Sequence, residues 1–215
     1  MPRKFAEHNI HNMKTTLIVG GLVVLIALLL SWNRIFPAAS PAVLITDPNN
    51  LPGIKITDVP WSPEIANLHS RLADIGLSAL SAEGGALPKR QPIAPVINGD
   101  HATISSDIRV NAMVRFFSPV HTHDTNGVVH VESNIVRDFT LGQFFDIWGV
   151  RFDLNCIGGY CTDATHTLRV YANGSPISGD PRNLVLAAHP QIGVVYGDAA
   201  RPPAVPPNYT LPSAS

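Results

Sequence analysis

Residues 15–32 carry no charged side chain, and Leu, Val and Ile fill most of the positions. At about 1.5 Å of rise per helical residue the run reaches roughly 27 Å, close to the hydrocarbon thickness of a bilayer. Trp32 falls where an interfacial aromatic belongs. Arg3, Lys4 and Lys14 precede the run and Arg34 follows it. The positive-inside rule therefore puts residues 1–14 in the cytoplasm, residues 15–35 across the cell membrane as a single pass, and the remainder outside. A cleaved signal peptide is the rival reading. Its apolar region would be long, and in Pro37-Ala38-Ala39-Ser40-Pro41 a proline follows the best candidate bond.

Outside that run the chain is lightly charged, 14% overall with a formal net charge of −1 in 215 residues. This balance argues against nucleic acid as a partner, which would need a basic face. The 45% hydrophobic content argues against a disordered chain. Residues 36–60 hold Pro37, Pro41, Pro48, Pro52 and Pro60 and read as an extended tether. An amphipathic helix and connector are expected over 61–82, with Ser62 as cap, Pro63 in the first turn and Trp61, Ile65, Leu68, Leu72 and Ile75 as the apolar stripe. Gly76 can end it. His69 lies beside the stripe and reads as a surface residue.

Residues 82–95, with Gly84-Gly85 and three prolines, read as a connector, and a strand-rich domain is expected over 93–198. Asn98-Gly99 marks a hairpin between 96–97 and 102–104. Further strands are expected over 110–117, 128–132, 168–172, 184–187 and 192–196. Thr140 can cap a helix over 141–148 with Leu141, Phe144, Phe145 and Trp148 on one side. Residues 199–215 form a Pro-rich tail. Hairpin, one short helix and three more strands is the order of a β-grasp domain. The expected fold is thus α+β, an N-terminal transmembrane helix followed by a small β-grasp-like domain, with an unrelated α+β sandwich as the alternative.

The stretch with most chemistry runs from His121 to Glu132 around Asn126-Gly127. With a two-residue turn, His123 faces His130 and His121 faces Glu132, so three imidazoles and a carboxylate share one face. A four-residue loop keeps the histidines together, whereas a three-residue loop turns His130 to the opposite face. Such ligands suit Zn²⁺, Cu²⁺, Ni²⁺ or Fe²⁺, with zinc or copper as the expected cofactor and the second imidazole nitrogen held by Asp124 or Thr122. His189 is a further candidate ligand, while His101 and His166 fall in turns and read as bystanders. The competing reading is a polar sheet face or a protein contact. Cys156 and Cys161, with four residues between them in a glycine-rich loop, read as a disulfide in an oxidising compartment, with a thiolate metal pair or a redox couple as alternatives.

Leu72-Ala73-Asp74-Ile75-Gly76-Leu77, His121-Thr122-His123-Asp124 with His130-Val131-Glu132-Ser133, the run 139–149 beginning Phe139-Thr140-Leu141-Gly142, and Asn173-Gly174 with Gly179-Asp180-Pro181 resemble a group of bacterial extracytoplasmic proteins of no established activity. The likeness spans residues 61–212 and implies an envelope setting without implying catalytic roles. Members of that group carry a His-x-His-x-His motif before the first Asn-Gly hairpin. Here residues 85–92 contain no histidine, which implies a half-site or a more open one.

Three functions follow in order: a metal-binding extracytoplasmic domain using His121, His123 and His130 with Glu132 or His189, an interaction module for an envelope protein partner, and a metal-dependent enzyme. The last ranks third because no nucleophile–base pair is visible in the sequence.

Overall fold

The computed structural model describes residues 47–82, 89–108, 110–111, 116–187 and 191–205. The expected membrane segment over 15–35, the first part of the tether, His189 and the end of the Pro-rich tail lie outside them. Among the described residues no helix is long and apolar enough to cross a membrane.

Among the described residues the architecture is α+β, mostly strands with two short α-helices. Helix α1 spans Leu68–Asp74 and is followed by β1 (Lys89–Ile97), β2 (Asp100–His101), β3 (Val110–Asn111), β4 (Phe116–Phe117), β5 (Val120–Thr122) and β6 (Val128–Val131). Helix α2 (Leu141–Trp148) leads to the small hairpin β7 (Cys156–Ile157) and β8 (Tyr160–Cys161), then β9 (His166–Ala172), β10 (Ser175–Pro176) and β11 (Ile192–Asp198). The main sheet has the order β10-β9-β11-β1-β6-β5, with β2 also paired to β1. Its centre is the parallel pair of β1 and β11, and every other neighbour pairs antiparallel.

Side chains alternate across a strand, so the registers assign the faces. One face presents Val120 and Thr122, Val129 and Val131, Ile93 and Ile97, Ile192, Val194 and Tyr196, and Val170. Apart from Thr122 these belong to the main core, together with Leu141, Phe144, Phe145, Ile147 and Trp148 of α2. The opposite face carries Arg90, His121 and His130. All eight α2 residues are buried. Its start is fixed by a capping box: the Gln143 amide donates to Thr140 Oγ1 at 3.3 Å, and the Thr140 amide donates to Gln143 Oε1 at 3.1 Å.

Several local expectations change. The helix expected from Ser62 begins only at Leu68, because Glu64 is engaged elsewhere. Its amide donates to Trp148 O at 3.2 Å, and its carboxylate pairs with the buried Arg71 guanidinium. Ile65 is consequently exposed, whereas Trp61, Leu68, Leu72 and Ile75 are buried. Residues 89–95, read as connector, form most of β1 despite two prolines. Ile93 donates to Gly127 O on the β6 side. The Pro92 nitrogen therefore turns to the other edge, where the ladder to β11 starts only at Ile93. Pro95 falls in the gap between the β6 and β2 ladders. The region 110–117 is a pair of two-residue strands, and residues 184–187 contribute only a bridge between Val185 and Thr140. The described part of the proline-rich stretch is bonded to the domain, with the Lys55 amide donating to Gly149 O at 2.8 Å.

Candidate metal centre

The β5–β6 pairing places His121 opposite His130 and Thr122 opposite Val129. His121 does not face Glu132, and His123 does not face His130; the register is two residues from that expectation. A slip of two preserves the alternation, so the shared face survives. The longer connection follows from the Asp124 carboxylate, which accepts the Asn126 amide at 2.8 Å and the Asn126 side chain at 2.9 Å. Asn126 Oδ1 accepts the Val128 amide at 2.8 Å, closing an Asx-type turn before β6 resumes.

His121, His123 and Glu132 come together with one potential ligand atom each, all within 4.8 Å of one another. His121 is 1% exposed and forms the closed wall. His130 and Glu132, with side chains 17% and 19% exposed, form the open side. His121 Nδ1 lies 3.1 Å from Ser118 O. A carbonyl oxygen only accepts, so Nδ1 carries a proton and Nε2 is the ring nitrogen left to face a ligand. That Nε2 lies 3.2 Å from His123 Nε2. Two nitrogens bound at about 2.05 Å with a tetrahedral angle lie about 3.3 Å apart. The separation therefore fits either a proton on His123 Nε2 or a tetrahedral cation shared by both rings.

His130 takes a different place from the one expected. Its ring stacks on His121, 5.7 Å between centroids, and meets the His123 ring edge-on at 4.3 Å. Its Nδ1 is 3.7 Å from Glu132 Oε1. It packs against both rings and borders the carboxylate, while Glu132 offers the third potential ligand atom. Neither expected orienting side chain serves His121. Asp124 is used within the turn, and Thr122 Oγ1 donates to Ser105 O at 2.7 Å. The orienting group is the Ser118 carbonyl, which sequence reasoning missed because a backbone acceptor has no residue signature. Arg90, paired with His130 across β1–β6, was also missed and lies exposed on the same face.

Of the remaining histidines, His166 stacks on Tyr196 at 5.5 Å, and His69 meets Phe116 edge-on at 5.5 Å. Cys156 and Cys161 are joined in a disulfide across β7–β8. Comparison of the chain with protein-family models, curated proteins and solved structures finds no match.

Proposed function

We propose that this chain is a membrane-anchored, extracytoplasmic protein whose domain binds a divalent transition metal, zinc before copper, through His121, His123 and Glu132. The single observation that carries the reading is the His121–His123 pair. The Ser118 carbonyl fixes one tautomer, and the two Nε2 atoms stand at the separation a tetrahedral ion requires. Three protein ligands leave a fourth position for water or a ligand, which suits metal handling. The uncharged run over 15–32 supports a single-pass anchor, and the disulfide supports an oxidising compartment. A β-grasp-like assignment is supported by first and last long strands that pair in parallel at the sheet centre, with the α2 side chains in the same core.

The test is elemental analysis and Zn²⁺ titration of the purified chain beside His121→Ala and His123→Ala. One ion per chain, lost in both variants, is expected; no stoichiometric binding by the wild type refutes the proposal. Exposed Ile135 and Val136, three and four residues after Glu132, favour a second reading in which an envelope protein docks beside the site. Val136→Asp would abolish that association and leave metal binding intact.

A further inference from the structure

A second chemical site lies on the β7–β8 hairpin, independent of the metal reading. Arg151 Nη2 is 2.8 Å from Cys161 Sγ, and the guanidinium is aimed there because its Nε donates to Gly158 O at 2.8 Å. On the Cys156 side the Asp153 carboxylate accepts the Cys156 backbone amide at 2.8 Å. The guanidinium beside one sulfur makes the disulfide electrostatically asymmetric. Thiolate character is favoured at Cys161. Both cysteines are half-buried between exposed neighbours, Leu154 and Asn155 before them and Thr162 after them, so a reductant can reach the bond.

The same hairpin clamps the segment 57–61. The Gly159 amide donates to Thr57 O at 2.7 Å, and the Val59 amide donates to the Tyr160 hydroxyl at 3.4 Å. Trp61 Nε1 donates to Thr57 O at 2.8 Å, and its ring meets Tyr160 edge-on at 6.2 Å. Gly158 lies so close to that ring that a Cβ there would be 2.4 Å from Trp61 Cζ2. The disulfide thus holds together a hairpin that in turn covers Trp61, which is only 1% exposed.

We propose that Cys156–Cys161 is a thiol–disulfide exchange site for a dithiol reductant, which attacks Cys156, expels Cys161 and releases the 57–61 strap. A reductant thiolate forms a bond to Cys156 Sγ as the Cys156–Cys161 bond breaks, and the electron pair leaves on Cys161 beside Arg151. The reductant's second thiol then attacks its own sulfur in the mixed disulfide and frees Cys156. The dithiol is oxidised to its disulfide, and the hairpin gains two electrons and two protons.

The test follows reduction of the native full chain by dithiothreitol through alkylation and mass spectrometry. A lower leaving-group pKa speeds exchange, so Arg151→Met is expected to slow reduction about 3–10-fold and Arg151→Lys to restore most of the rate. Equal rates in wild type and Arg151→Met overturn the role of Arg151, with unfolding by urea reporting that both remain folded. Glutathione as a monothiol probe, quenched with iodoacetamide, is expected on Cys156 with the alkyl group on Cys161; the reverse labelling overturns the polarity. Reduction is expected to shift the fluorescence of Trp61 to the red, and Trp61→Phe to remove the shift. An unchanged spectrum overturns release of the strap.

Discussion

Arg71 is fully buried, and each of its five N–H donors meets an acceptor. Nε donates to Asp146 O at 2.7 Å, and the terminal nitrogens to Pro52 O at 3.0 Å, Ile147 O at 3.1 Å, and the carboxylate and carbonyl of Glu64. The residue thus closes the C-terminal turn of α2 and ties both preceding segments to it. Arg71→Met keeps the apolar stem but leaves four carbonyls and a partly buried carboxylate without their cation. Breaking a buried pair from one side costs about 3–5 kcal/mol, a large share of the roughly 5–15 kcal/mol that stabilises a typical domain. Urea unfolding monitored by tryptophan fluorescence reads this as a lower midpoint at unchanged slope. Glu64→Gln should cost less, about 1–2 kcal/mol, and the double variant less than the sum. Burial alone would raise the Glu64 pKa, but Arg71 and Asn67 outweigh it and hold it below the ordinary value. Its contribution is therefore full above the unfolded value of about 4.3 and is lost as pH falls through the lower folded value. Arg71→Met should abolish that acid-side dependence. A loss under about 1 kcal/mol, with the pH dependence intact, would refute the assignment of Arg71 as the keystone of this packing.

Three further outcomes are expected. Thr140→Ala removes the acceptor for the Gln143 amide and should cost about 1 kcal/mol in the same unfolding assay; a loss below a few tenths would contradict the capping role. Gly158→Ala puts a methyl group into the Trp61 ring at a positive φ and should destabilise by about 1–3 kcal/mol, whereas an unchanged midpoint would contradict the close approach. Burial pushes the Asp146 carboxyl upward, against the pull of Arg182 and Arg71. Its contribution is then greatest below the unfolded value of about 3.9 and declines as pH rises through the raised folded value. Asp146→Asn should flatten that part of the stability–pH curve, and a superimposable curve would contradict it.

The parts of the fold legible in the sequence are those whose signals are local. Thr140 and the Leu141, Phe144, Phe145, Trp148 pattern specify α2 with its cap, and Asn98-Gly99 specifies the β1–β2 turn. The 89–95 part of β1 was not legible, because prolines are compatible with a central strand only where it changes partners, and partner choice is tertiary information. The short α1 has the same origin, since Glu64 leaves the helical pattern to meet Arg71 and Trp148. In the site, alternation alone placed three histidines on one face. Which of them approach as ligands depended on the loop drawn in by Asp124 and on the Ser118 carbonyl, neither of which periodicity encodes.

The central claim is tested most directly by competitive zinc titration of the wild-type chain beside His121→Ala, His123→Ala and His130→Ala. The geometry predicts one tight ion in the wild type and loss of stoichiometric binding without His121 or His123. For His130→Ala it predicts retained binding weakened about 10–100-fold, as for a group that supports ligands from outside. Equal affinity in the wild type and His121→Ala, or no saturable binding in any of the four, would contradict it.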